Sequence, residues 1–215
     1  MKVKYHSKIA FTFASAEVNL FSQQFIKIIE LFTGKMKLKK LYDQYLLENN
    51  PPENFWNDAL KKLKFKLQTN YKDGSFIPNN GRLIIVANHA FGVADGLSLC
   101  SVISNIRQDY KMITHKVLRQ ADAVKNKIIP IDFSPNREAM LANIDARKEA
   151  EKVLNNDGVI IIFPSGQIAT KENLRLKTKA HDGDWKQFVS KLIIKTKSPV
   201  LPSYFEGQNL SLIHI

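Results

Sequence analysis

Cysteine is almost missing from these 215 residues: Cys100 stands alone, which excludes an internal disulfide and a cysteine-rich zinc site. Its neighbours in "GLSLCSVISNI" are apolar, so the thiol reads as a buried structural side chain. Long apolar runs are missing too. None reaches the roughly 18 residues that a spanning helix needs. In "MKVKYHSKIAFTFASAEVNL", Thr12, Ser15 and Glu17 break up the apolar stretch, and no cleavable signal is read there. Repeats and low-complexity tracts are absent. Acidic residues are in short supply, 20 against 32 Lys and Arg, for a net charge of +12, and the excess divides equally about Gly81. A basic excess spread so evenly predicts an anionic partner; nucleic acid, an anionic bilayer and an acidic carrier protein all qualify.

With 44% hydrophobic and 24% charged residues, the chain can build one ordinary core. Residues 1–70 read as helices. Val18, Phe21, Phe25, Ile28 and Phe32 step by three and four along one stripe, and Gly34 fits its stop. "KMKLKKLYDQYLLENN" is a second helix. "ENFWNDALKKLKFKLQ" is a third, setting Trp56, Ala59, Leu60, Leu63 and Leu67 against Lys61, Lys62, Lys64 and Lys66. Basic amphipathic helices of this kind suit a membrane interface or pack on a domain with their lysines solvated.

From residue 71 to 215 the texture is that of an α/β domain, expected as a central mixed sheet flanked by helices. The strands are read in "RLIIVA", "YKMITHKVL", "KIIPID", "GVIIIF" and "PVLPSYF". Helices are read after Asp95, from a Ser134 N-cap with Pro135 in the first turn through Leu154, and in "WKQFVSKLIIKT".

Three of the strand ends carry unusual loops: "NHAFGVADG" (88–96), "FPSGQIAT" (163–170) and "YFEGQN" (204–209). Sites in such sheets gather at the carboxyl ends of strands. In the first loop five residues separate His89 from Asp95, Gly92 among them. A neutral imidazole is suited to take a proton from a hydroxyl, and a carboxylate on its second nitrogen fixes tautomer and orientation. The plainer alternative has Asp95 as a helix N-cap and His89 as an ordinary loop residue.

N-H-x-F-G-x-x-D-G after a strand, then F-P-S-G, then Y-F-E-G-Q-N, resembles the glycerolipid (lysophospholipid) acyltransferase superfamily. It is most similar to the branch of hemolysin-like proteins and lyso-ornithine lipid acyltransferases. The likeness runs from about Gly34 to Asn209. It implies that His89 is a general base and Asp95 its orienting partner, activating an acceptor hydroxyl that attacks an acyl thioester. It implies substrate contacts at Asn88, Phe91, Gly92, Phe163, Pro164, Ser165, Gly166, Arg137 and Glu206. Ile131-Asp132 matches the second motif and Pro202 the proline of the fourth.

Two departures bear on the acceptor. Ser165-Gly166-Gln167-Ile168 stands where phosphatidic-acid-forming members carry Glu-Gly-Thr-Arg, and Phe133 stands where they carry an arginine. The guanidinium fork matches phosphate oxygens, so its loss at both places points from lysophosphatidic acid to a lyso-aminolipid such as lyso-ornithine lipid. The donor implied is acyl-carrier protein or a CoA thioester, with no cofactor or metal. The expected location is peripheral, on the cytoplasmic face of a bacterial inner membrane, at an anionic surface and without nucleic acid.

Ser165 lacks the first glycine of a nucleophile elbow and reads as a loop serine that contacts substrate or caps a turn. His115 reads as structural, and His6 and His181 have no role. "LSLIHI" is unlike the helical continuation of the family and resembles a translated adapter tail, so a truncated chain is expected, with no role for His214. A non-catalytic lipid-binding protein and an acyl thioesterase are the rival readings.

Overall fold

The computed structural model describes residues 35–48, 51–70, 76–170 and 179–208. The apolar stripe expected over 18–32, its Gly34 stop, His6 and the "LSLIHI" ending lie outside them. Helix α1 (Lys35–Leu47) and helix α2 (Phe55–Lys62) are joined through a short 3-10 turn, Pro52–Asn54. Then follow β1 (Leu83–Ala87), α3 (Val93–Ser104), β2 (Tyr110–His115), β3 (Ile128–Ile131), α4 (Arg137–Asn155), β4 (Val159–Ile162), α5 (Gln187–Thr196) and β5 (Val200–Ser203).

The strands stand in the order β3-β2-β4-β1-β5. All four pairings are parallel. The α/β class is as expected, but the described sheet is parallel throughout where a mixed one was read. The reason is connectivity: each strand from β1 to β4 is followed by a connection long enough to return the chain to the same end of the sheet. Proline sits only on the outer strands, Pro130 in β3 and Pro202 in β5, where one missing ladder donor is tolerated.

The continuous apolar runs of β1 and β4 are buried along their whole length because helices cover both faces. On one face Ile85, Met112, Ile161 and Phe163 pack with Leu97, Leu99, Cys100 and Ile103 of α3, and with Tyr42, Trp56 and Leu60 of the first two helices. On the other, Ile84, Val86, Ile129, Ile160 and Ile162 pack with Ala146, Ala150 and Leu154 of α4 and Val189 and Leu192 of α5. Trp56 Nε1 donates to the Tyr110 hydroxyl at 2.5 Å, which satisfies the buried indole as it seats α2. The described helices of residues 1–70 thus share one core with the sheet.

Helix α2 ends earlier than its sequence pattern suggests. Lys64 takes a left-handed φ of 58° and the Phe65 N–H returns to the Leu60 carbonyl at 2.9 Å, a closure that stops the helix. Lys64 and Lys66 are therefore outside it, exposed beside a half-exposed Phe65 (49%) and Leu67 (40%). Helix α4 starts two residues later than expected. Asn136, not Ser134, caps it by accepting from the Ala139 N–H at 2.7 Å, because the Ser134 hydroxyl is already committed to Asp132 at 2.7 Å.

Candidate active site

Strands β1 and β4 are neighbours, yet the chain leaves them toward opposite faces. After β1 it enters α3 on one face, and after β4 it leads to α5 on the other. That divergence falls at the carboxyl ends of the two strands, the place where open α/β sheets bind ligands. His89 follows β1 and Phe163 follows β4. Their rings stack with centroids 4.2 Å apart and planes 25° off parallel.

Gly92 shapes the first loop. Its φ of 70° and ψ of −126° belong to a region open only to glycine, and α3 begins at the next residue. Asp95 is thus the third residue of the helix, not its N-cap. Its carboxylate folds back over the first turn: Oδ2 accepts from the Phe91 N–H at 2.8 Å and faces His89 Nδ1 at 3.0 Å. An acid in the first turn is also favoured by the helix dipole. The Asp95 side chain is fully buried and that of His89 is 19% exposed. Oδ1 of Asp95 has no hydrogen-bond partner among the described residues. The carboxylate is a buried charge only partly compensated, which makes it a strong attractor for a developing imidazolium. With Nδ1 turned to Asp95, Nε2 is the nitrogen left for a substrate.

Asn88 clamps the third loop to the first, its amide donating to the Phe205 carbonyl at 2.9 Å and accepting from the Phe205 N–H at 2.7 Å. The Phe91 ring packs against Gly207, where a Cβ would come within 2.8 Å of it. Asn88, Phe91, Gly92 and Phe163 are therefore brought together around His89 and Asp95.

The other expected contacts are placed differently. Ser165 is buried and its hydroxyl donates to the Gln167 carbonyl at 2.8 Å, so it caps its own turn and is not open to a ligand. The Pro164 carbonyl accepts from the Lys186 N–H at 3.0 Å. Gly166 is exposed with a φ of 69°, under the ring of Phe133, whose edge a Cβ there would approach to 3.3 Å. Arg137 is exposed at the start of α4 and Glu206 is exposed beyond β5; no contact joins either to the histidine or its carboxylate.

A second polar group lies at the ends of β2 and β3. Lys116 Nζ donates to Asp132 at 2.6 Å, and this bond, with those from Ser134, pulls the Asp132 carboxyl down to about 2. Phe133 stacks on His115 at 5.9 Å, and burial lowers the pKa of that imidazole below its ordinary value. Cys100 is buried at the side of α3 with its pKa pushed up by burial, an inert thiol. Among the described residues no cluster of His, Cys, Asp or Glu could hold a metal ion. Sequence reasoning missed Asp182, which reaches the His89 backbone from 93 residues away.

A family model described as Acyltransferase matches residues 68–206. The chain belongs to the acyltransferase family. Among curated proteins it is similar to a lyso-glycine lipid O-acyltransferase of Phocaeicola vulgatus, with 28% identity over 135 residues that cover 62% of this chain and 45% of that protein. The matched stretch thus spans less than half of that relative. No solved structure matches the chain significantly. The family match runs from before β1 to the loop after β5, so the acyltransferase likeness rests on the region that contains His89, Asp95 and Phe163.

Proposed function

We propose that this acyltransferase moves an acyl chain from a thioester to the hydroxyl of a lysolipid, with His89 as general base. The observation that carries the reading is the 3.0 Å contact of His89 Nδ1 with the buried Asp95 carboxylate, beyond the carboxyl ends of β1 and β4. Nε2 of His89 takes the hydroxyl proton as the alcohol oxygen attacks the thioester carbonyl. Asp95 holds the Nδ1 proton and offsets the imidazolium charge that appears. When the C–S bond breaks, the imidazolium returns its proton to the leaving thiolate, so the base is regenerated.

A lyso-aminolipid suits the acceptor. Phe133, where phosphate-handling relatives carry arginine, lies on the loop glycine Gly166, and the matched relative is named for a lyso-glycine lipid. The donor is an acyl-carrier protein or CoA thioester, and acidic carrier protein complements a net charge of +12. The enzyme works peripherally on the cytoplasmic face of a bacterial inner membrane. No helix among the described residues is long and apolar enough to cross a bilayer, and Lys61, Lys64 and Lys66 with Phe65 and Leu67 offer an interfacial strip.

Purified protein supplied with acyl-CoA and a lysolipid should release free thiol only when the lysolipid is present. His89→Ala should slow that release by about two orders of magnitude or more. Equal release with and without lysolipid would mark a thioesterase, and a folded His89→Ala protein of undiminished rate would exclude the mechanism.

A further inference from the structure

His89 is gripped on four sides. Asp95 holds one edge of its ring and Phe163 covers a face. The His89 carbonyl accepts from the Ala169 N–H at 2.7 Å. Its own N–H donates to Asp182 Oδ1 at 2.9 Å. The last grip comes from residues 179–186, a stretch that lies between the loop after β4 and helix α5 and that the sheet itself does not require.

That stretch is tied down from several directions. Thr170 and His181 exchange both backbone hydrogen bonds at 3.1 Å. The Ala180 N–H donates to the Gln208 side chain at 2.5 Å. Gly183 lies so close to Gln167 that a Cβ there would come within 1.9 Å of its amide nitrogen. The second oxygen of Asp182 accepts from Trp185 Nε1 at 3.2 Å. Its carboxylate is therefore fixed with respect to the loops after β4 and β5, and it passes that fixity to the peptide unit from which the imidazole springs.

We propose that Asp182 is a positioning residue for His89, setting the direction of Nε2 by holding the backbone N–H of the base. A hydrogen bond from a peptide N–H to a carboxylate is charge-assisted and stiff. Without it, the His89 backbone can turn and carry the ring off both Asp95 and Phe163, and misplacing a reacting group by about 1 Å costs on the order of 100-fold in rate. The requirement is for an acceptor oxygen, not for charge. Asparagine can supply that oxygen to the His89 N–H, losing only the exposed Trp185 bond, toward which its NH2 is then turned; alanine cannot. The kinetic part of this inference rests on the acyl-transfer reading, whereas the geometric part does not.

Two measurements on the full chain separate them. The first needs no substrate: the proton NMR resonance of His89 Nδ1–H held by Asp95, assigned by its disappearance in His89→Ala. Asp182→Ala should abolish it or speed its exchange with water about tenfold or more, and Asp182→Asn should keep it. The second is thiol release with acyl-CoA and a lysolipid. Asp182→Ala should lower kcat roughly tenfold or more with KM for the thioester within about twofold, and Asp182→Asn should stay within about threefold of wild type. A folded Asp182→Ala with unaltered resonance and kcat overturns the proposal, as does Asp182→Asn losing as much as alanine. Should the alanine variant not fold, the asparagine variant decides: a retained resonance supports the proposal and a lost one overturns it. A wild type that releases no thiol, but whose resonance responds to Asp182 as described, sinks the acyl-transfer reading and leaves the positioning role standing.

Discussion

Asp95 faces a conflict between stability and chemistry. Its carboxylate is fully buried, is held through Oδ2 alone, and leaves Oδ1 without a partner among the described residues. Burying a charge that is not fully paired is costly, and sites kept for function commonly carry such a cost. Asp95→Asn removes the charge and keeps the shape, so its melting temperature should equal or exceed that of wild type. Its activity should fall by about two to four orders of magnitude. The amide oxygen takes the place of Oδ2 and keeps the Phe91 N–H bond, so Nδ1 keeps its proton but the imidazolium loses the negative charge that offsets it. Thermal melts and initial rates on one preparation check both halves, and a melting point several degrees lower would contradict the reading. At this scale the pair was legible, because histidine and aspartate fall on one short loop around Gly92. Asp182 was not: its target is a backbone N–H, which carries no side-chain identity, and the two are separated by three strands and two α-helices.

Among the elements, the ends of β2 and β3 are joined by the Lys116–Asp132 pair at 2.6 Å, with Asn143 of α4 donating to the Asp132 carbonyl at 2.7 Å. The Asp132 carboxyl sits at about 2 against an ordinary 3.8. A depressed carboxyl contributes stability that is complete above the ordinary value and lost as pH falls through the lowered one. Wild type should therefore melt higher than Asp132→Asn at pH 6, and the gap should close by about pH 2. Lys116 is nearly half exposed, so solvent screening holds the difference at pH 6 to about 0.5–1 kcal/mol. Melting curves between pH 6 and 2 test this, and a gap that widens on acidification would refute it. Element types were plain in the sequence because buried parallel strands are continuous apolar runs and the helices repeat at three and four. Boundaries were less so. The early stop of α2 depends on Lys64 adopting a left-handed backbone with no glycine to mark it, and the late start of α4 on a competition between Asp132 and the helix for one hydroxyl.

Considered as a whole, the molecule packs the apolar side of α2 inward and leaves Lys61, Lys64, Lys66, Phe65 and Leu67 at its surface. Exposed aromatic and aliphatic side chains among lysines fit the headgroup region of an anionic bilayer. Changing Phe65 and Leu67 together to serine should weaken partition into anionic vesicles about tenfold or more, since each buried side chain contributes roughly 1.5–3 kcal/mol. The melting point should hardly move, because neither side chain belongs to the core. Vesicle sedimentation beside thermal melts reads both, and unchanged sedimentation would locate lipid contact elsewhere. Crowding on such a surface brings a hazard of its own. Open sheets brought edge to edge can zip into fibres through their free amides. Pro130 and Pro202, one in each outer strand of the described sheet, remove a backbone donor from both edges and so work against such pairing between copies.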